Sequence, residues 1–414
     1  MFVCLFWAAV LGADVSGRRD RAKAILMLFM LVTAVLYFGH LAFFMHVGWL
    51  LPWTDTLYVG CNLAVYPLYL IYIMELTDNS ARRFRYVSWL LPAVAGMLAA
   101  GVLYGMMTTA DVATFVGKYL YRNHTLTLSH LPYAQAVVHD VCKVVFALEI
   151  VPVLYLGSRQ IRQFDLRVLS NYADTDDKVL NRMHTLLMFF VLTSAVSFAS
   201  NIVGRHHFDH TPWLLALPSL TFSSLLFVLG YVGHMQKFSI ADMEEDLRLE
   251  ALPHAPLPAP RVSSSAGVAQ PTASRDDATA VPPEADAGVQ DAVAHADAEA
   301  EDIDLRQRLD RVMMRQQLYL HSNLKLADLV RALHTNRNYI YNIINREMGM
   351  SFSEYVNRLR VQHAARLLDE GRDLSHAELA ERSGFSSITS FYRNFKLYAG
   401  CSPKEYQNKQ KQQQ

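Results

Sequence analysis

Residues 375–406, SHAELAERSGFSSITSFYRNFKLYAGCSPKEY, decide the fold of the C-terminal part of this chain. Ser375 and Glu378, three apart, form a capping box, in which a hydroxyl and a carboxylate satisfy the free amides that start a helix. The helix expected from it runs from Ser375 to Ser383. Gly384 and Phe385 make the turn. A second helix follows from Ser386 to Tyr398, with Phe391 and Phe395 four apart and therefore on one inward face. Two short helices across a tight glycine turn make a helix-turn-helix unit, whose second helix is the one shaped to enter a DNA groove.

The pattern occurs a second time upstream, in residues 331–368, RALHTNRNYIYNIINREMGMSFSEYVNRLRVQHAARLL. Leu326–Leu333 reads as a short helix and His334–Thr335 as the turn. Thr335 or Asn336 caps the next helix, since short polar side chains accept from its free amides. That helix, Arg337–Met348, is expected to turn Tyr339, Ile340, Ile343 and Ile344 inward. An earlier helix, Asp304–His321, supplies Leu305, Leu309, Val312, Met313 and Leu320 to the same core. Between the two units lies a long amphipathic helix, Ser351–Glu370. Ser351 and Glu354 cap it, Tyr355, Leu359, Ala364, Leu367 and Leu368 form its apolar stripe, and Gly371 ends it. At about 30 Å its length is close to one duplex turn of about 34 Å. Two reading helices held that far apart suit successive major grooves on one face of DNA.

The polar residues at the start of each reading helix are the candidates for base contact: Arg337, Asn338, Tyr341 and Asn342 in the first unit, and Ser386, Ser387, Thr389, Ser390, Tyr392 and Arg393 in the second. Arginine pairs bidentately with guanine and asparagine with adenine. Arg346, Arg358, Lys396 and Lys404 suit phosphates, which fix position and not sequence. Each of these taken singly could be a solvated surface residue; the set as a whole points to DNA.

Over about the last hundred residues the chain resembles the AraC/XylS DNA-binding domain. The resemblance rests on Gly349, Phe352, Arg360, Ala364 and Leu368 in the first unit. In the second it rests on Ala380, Gly384, Phe385, Ser390, Phe391, Phe395, Gly400, Pro403 and Tyr406. It departs at Gln407, where arginine is common, and in the missing serine before the first reading helix, so a phosphate contact or a cap is expected to be weaker. The resemblance implies a bacterial transcription regulator, hence the bacterial inner membrane for any membrane part. The arrangement is also similar to regulators with a multi-span N-terminus and an AraC-type C-terminus.

Residues 1–240 are a different kind of sequence. Ala22–His46, Thr56–Leu76, Val87–Met107, Ala134–Gly157, Arg182–Gly204 and Pro212–His234 are six apolar stretches, each near the roughly 20 residues that cross a bilayer core. Met1–Leu11 is about half that length and makes a seventh only as the end of a longer helix. No positive residue precedes it, which argues against a signal peptide. Arginine and lysine gather in alternate loops (Arg18, Arg19, Arg21 and Lys23; Arg82, Arg83 and Arg85; Arg159, Arg162, Arg167 and Lys178; Lys237). Such loops stay in the cytoplasm, which puts the C-terminal part there too. Pro67, Pro92, Pro152 and Pro218 are expected kinks within spans. Ionisable groups inside a membrane tend to face the bundle interior and mark a functional path, so His139, Asp140, Lys143 and Glu149 are candidate sensor positions. Asp140 and Lys143 share a helical face; the simpler reading is that His139, Asp140 and Lys143 lie near the outer end and are wet or paired, whereas Glu149 is deeper and the stronger candidate. Of His206, His207 and His210, His206 and His210 are four apart and could share a metal on a helix turn; the three could sense pH, and a wet surface loop explains them equally.

Residues 241–302 begin as a helix continued from the last span, over Ala241–Ala251, and then become an Ala-, Pro- and Asp-rich stretch too poor in large apolar residues to fold. From Ala251 to Asp302 there are 2 Lys and Arg against 9 Asp and Glu; from Ile303 to Gln414 there are 18 against 11. A basic domain behind an acidic spacer fits a nucleic-acid partner. So soft a spacer leaves no rigid helix to carry a signal between the halves. Cys4, Cys61, Cys142 and Cys401 are too scattered for a zinc or redox pair.

The expectation is an all-α protein: a transmembrane bundle of six or seven helices in residues 1–240, a disordered linker in 241–302, and a double helix-turn-helix domain in 303–410. The function expected is membrane-anchored, sequence-specific regulation of transcription. Its partners would be double-stranded DNA, the lipid bilayer, RNA polymerase, a second copy of the chain and an unnamed signal ligand, with no cofactor. A transporter or channel with a regulatory tail is the alternative, although no inverted repeat is visible. No HExxH, GxSxG or paired-aspartate motif supports an enzyme.

Overall fold

The computed structural model describes the chain except residues 18–19, 79–80, 122–127, 129, 177, 181–182, 190, 193–212, 237, 252–304, 371–373 and 414. The linker beyond Ala251, the 206–210 histidines and Gly371 lie outside the described residues. Among the described residues there is no strand, only an isolated antiparallel bridge between Tyr172 and Lys325. The chain divides into two compact units, Met1–Leu169 with Thr175–Glu244, and Ser170–Asp174 with Glu245–Gln414.

The first unit contains α1 (Phe2–Gly17), α2 (Arg21–Phe44), α3 (Leu51–Thr77), a 3₁₀ segment Ala81–Leu90 that runs into α4 (Leu91–Met106), α5 (Thr109–Phe115) ending in a π turn Val116–Leu120, α6 (His130–Asn171, whose last two residues fall in the second unit), α7 (183–189), α8 (Trp213–Met235) and the start of α9 (Ile240–Ala251). Asp20 caps α2 by accepting from the Lys23 amide at 3.1 Å. Thr108 and Asp111 form a reciprocal capping box at α5, as side chains must where amides have no helical partner. Among the described residues three helices are long and apolar enough to cross a membrane by length and composition: Arg21–Phe44, Leu51–Thr77 and Tyr86–Met106. Pro67 and Pro152 sit inside the unbroken helices α3 and α6. A Cβ built on Gly96 of α4 would stand 3.0 Å from Cys142 Sγ of α6, so glycine is what lets these helices meet so closely.

The segment after α8 is not a continuation of it. The helix stops at Met235, and α9 begins afresh at Ile240, its first turn held by Asp242 Oδ2 accepting from the Ser239 amide at 2.7 Å.

The second unit is built on α10 (305–316), a 3₁₀ turn Leu318–Leu320, α11 (Leu326–Leu333), α12 (Arg337–Asn342) with a π turn Ile343–Glu347, α13 (Phe352–Asp369), α14 (His376–Arg382), α15 (Ile388–Ala399) and α16 (Pro403–Gln413). The helix expected over Asp304–His321 stops at 316, because Gln317 takes a left-handed conformation, φ 50°. That bend folds Leu318–Leu320 over the core and buries Tyr319 at 1% exposure.

The unit has two cores. The first gathers Leu305, Leu309, Met313, Tyr319, Leu326, Leu329, Ile340, Ile343, Ile344, Phe352 and Val356. The second gathers Val361, Ala364, Leu367, Leu379, Phe385, Phe391 and Phe395. The N-terminal half of α13 lies in one and its C-terminal half in the other. Arg360 stands at the junction, 1% exposed. Its Nε donates to the Tyr319 carbonyl at 2.7 Å and a terminal nitrogen to the His321 carbonyl at 2.7 Å. Its guanidinium lies 5.7 Å from the Phe385 ring centroid. Burial lowers its pKa to about 10, which leaves it charged at neutral pH.

Ala173 is also part of the first core, at 1% exposure. Its amide donates to the Leu324 carbonyl at 3.0 Å, and its carbonyl accepts from Ser353 Oγ at 3.1 Å and Asn357 Nδ2 at 3.4 Å. Tyr172 donates to Asp246 at 2.9 Å, and Lys325 pairs with the same carboxylate at 3.0 Å. The second unit thus includes residues at the end of α6, and the linker is not its sole covalent connection.

Two outcomes follow for the full chain in detergent, read by hydrogen exchange at the amides of α13. Gly384 has φ +81°, and a Cβ there would lie 2.7 Å from the Leu320 backbone; Gly384→Ala should cost about 1–3 kcal/mol of local stability. Arg360→Met leaves the buried Tyr319 carbonyl without its donor and should cost about 1–3 kcal/mol. Unchanged protection in both would refute the account of the junction.

Candidate nucleic-acid interface

α12 is positioned by its cap and its core contacts. Asn336 is extended and its side chain accepts from the Asn338 amide at 3.0 Å, as expected of one of the two candidate caps. Ile340, Ile343 and Ile344 are fully buried. Burying both of the adjacent isoleucines coincides with the π turn, whose wider winding brings consecutive residues to the core side. Asn338, Tyr341 and Arg346 are exposed, and Arg337 and Asn342 half-buried. Tyr339 does not turn inward: it is 51% exposed. It stands three residues before Asn342, already on the outer side, and that spacing was the available signal.

α15 is capped by Ser387, whose Oγ accepts from the Ser390 amide at 3.1 Å. Ser386, Thr389, Tyr392, Arg393 and Lys396 are exposed and Ser387 half-buried. Ser390 is 6% exposed, its Oγ 3.3 Å from Asn394 Nδ2, so it packs inside the second unit's core face and is not presented at the surface. The Tyr392 hydroxyl is hydrogen-bonded to His376 Nδ1, which ties the reading helix to α14. Ile388, 44% exposed at the first turn of α15, joins this face without having been singled out by sequence. Arg358 of α13 and Lys404 of α16 are exposed as well.

The capping boxes fix where the short helices begin. In α13, Glu354 Oε2 accepts from the Ser351 amide at 2.6 Å. In α14, Glu378 Oε2 accepts from both the amide and the hydroxyl of Ser375, at 2.9 and 2.8 Å. The Ser375 backbone and side-chain bonds lower the Glu378 pKa, and the Ser402 bonds do the same for Glu405 at α16. Among the described residues no group of three or more His, Cys, Asp and Glu is placed to hold a metal ion.

Depressed carboxylate pKa values stabilise the folded state above the unfolded value and lose that contribution as pH falls through the folded one. Circular dichroism should therefore show α14 and α16 losing stability only below about pH 4. Ser375→Ala should cost about 1 kcal/mol at neutral pH and flatten part of the acid response. A variant as stable and as acid-sensitive as the parent would contradict this.

Comparison with known proteins agrees with this geometry. A family model described as a helix-turn-helix domain matches residues 329–409. An HTH-type transcriptional regulator of Bacillus subtilis is 37% identical over 90 residues, 22% of this chain and 12% of its own length. The Msm operon regulatory protein of Streptococcus mutans is 33% identical over 85 residues, 20% of this chain and 30% of its own. The melibiose operon regulatory protein of Escherichia coli is 32% identical over 83 residues, 20% of this chain and 27% of its own. This chain thus spans less than a third of each of these relatives. No solved structure matches the chain. Two reading helices on one connecting helix, the family match and these relatives together identify the C-terminal part of this chain as an AraC-type helix-turn-helix domain.

Proposed function

We propose that this protein is a membrane-anchored, sequence-specific DNA-binding regulator of transcription, which couples a state of the cell envelope to gene expression. The observation that carries this reading is the presence, in one chain, of three helices apolar enough to span a membrane and an AraC-type domain with two reading helices. The six apolar stretches, with Met1–Leu11 as a candidate seventh, and the alternation of positive loops support six or seven spans with a cytoplasmic C-terminus, and the AraC-type domain supports a bacterial inner membrane. The relatives named as operon regulatory proteins support the DNA part.

Base reading is assigned to Arg337, Asn338, Tyr341 and Asn342 on α12 and to Ser386, Ser387, Thr389, Tyr392 and Arg393 on α15. Exposed Tyr339 and Ile388 extend the two faces, Ile388 being suited to a thymine methyl. Arg346, Arg358, Lys396 and Lys404 are assigned to phosphates. Ser390 takes the different role of supporting α15 from within. The partners are promoter DNA, the bilayer, RNA polymerase, a second copy of the chain and a signal received by the bundle.

Genomic fragments bound by the intact chain in detergent micelles would provide the operator. On that operator Arg337→Ala and Arg393→Ala should each lose about 1–3 kcal/mol of discrimination, while Lys404→Ala should weaken all sequences alike and reduce the salt slope by about one. If the parent chain bound random and genomic fragments equally, the proposal would fail.

A further inference from the structure

The first unit holds a buried ion-pair centre that the sequence did not reveal. His139, on α6, is 7% exposed. Its Nδ1 lies 2.9 Å from the Gln135 carbonyl, and its Nε2 lies 2.7 Å from Asp55 Oδ2 on α3. Tyr104, on α4, donates its hydroxyl proton to the same Oδ2 at 2.8 Å. Phe115 of α5 and Tyr119 of the π turn close over the imidazole, with ring centroids 5.4 and 5.8 Å away.

Counting hydrogens decides the protonation of this centre. A carbonyl oxygen only accepts, so Nδ1 carries a proton. At 2.7 Å, the Nε2 to Oδ2 contact also needs a proton between the two atoms. The pair therefore holds one proton more than a neutral imidazole beside a carboxylate. Without that proton a nitrogen lone pair would face a carboxylate in a site screened from water, and the contact would have to open. The other titratable and charged groups facing the centre among the described residues are Tyr104 of α4, Tyr119 of the π turn, and Asp140 and Lys143 of α6. Asp140 and Lys143 pair with each other at 3.0 Å while half exposed, and both bond the Tyr119 hydroxyl, at 2.6 and 2.9 Å. Their charges largely offset one another, which leaves Asp55 as the counter-charge of His139.

We propose that Asp55 and His139 form a proton-binding site, and that protonation of this site is a signal the membrane unit reads. The inference rests on the proposed function and names the chemistry of its input. Positive loops at the opposite ends of α3 and α6 put the site at the outer end of the bundle. The proton ties α3, α4 and α6 together there. Alkalinisation removes it and releases the tie; acidification restores it.

The test is a spin-label distance measurement on the full chain in lipid nanodiscs, with the four native cysteines replaced. Labels at Trp53→Cys and Tyr133→Cys, both exposed and outside the centre, report the outer ends of α3 and α6. From about pH 5 to about pH 9, the distance should widen reversibly. His139→Gln, whose amide donates to Asp55 at any pH, should stay narrow throughout, and Asp55→Asn should lose the pH response. A distance in the parent chain that does not change with pH overturns the proposal, whatever the variants do. Operator binding by the same samples separates the two readings. Absence of operator binding at every pH would refute the regulator, and binding with an invariant distance would refute only the proton site.

Discussion

One helix belongs to two cores. α13 supplies Phe352 and Val356 to the first and Val361, Ala364 and Leu367 to the second, so neither can move without carrying the other. Rigid interiors are close-packed and do not shear cheaply. The separation of α12 and α15 is therefore set by a single 18-residue helix. Arg360 and Gly384 secure its middle. The guanidinium donates to the buried Tyr319 carbonyl and adds a bond to the His321 carbonyl, which also accepts from the Leu324 amide, and the missing side chain of Gly384 allows its turn to lie against Leu320.

The C-terminal architecture was largely legible because its determinants are local. The capping boxes at Ser351 and Ser375, the Asn336 cap and the apolar stripe of α13 are pairs of residues three or four apart, which is the range over which helix periodicity speaks. The left-handed Gln317 was not legible, since only the packing of Leu318–Leu320 requires it. Tyr339 was misplaced because an aromatic residue beside three isoleucines reads as core, whereas a winding of nearly five residues in the π turn gives the interior to Ile343 and Ile344 together. Ser390 was assigned to the groove from its place in the reading helix, and only the packing of Asn394 shows which way it turns.

In the first unit, apolar length was legible and polar partnership was not. Asp140 and Lys143 could be matched as neighbours on one helix, and they do pair. His139 could not be matched, because Asp55 is 84 residues away. Glu149 is buried at 8% exposure, and neither oxygen has a hydrogen-bond partner among the described residues. Its depth was visible as its distance from the charged ends of the span, but its surroundings depend on which helices meet there. The close approach at Gly96 is of the same kind: a glycine in an apolar run does not say which helix it admits.

The place of Ser170–Asp174 bears on how the protein would behave if its chain were cut. Ala173 is embedded among the side chains of the first core, with backbone bonds to Leu324 and side-chain bonds from Ser353 and Asn357. A break in the backbone anywhere between residues 252 and 304 would sever the tether while leaving those bonds intact. The cleaved C-terminal fragment would still hold Ser170–Asp174 through those bonds. Separating the two pieces would require a second event that ejects Ala173 from the first core.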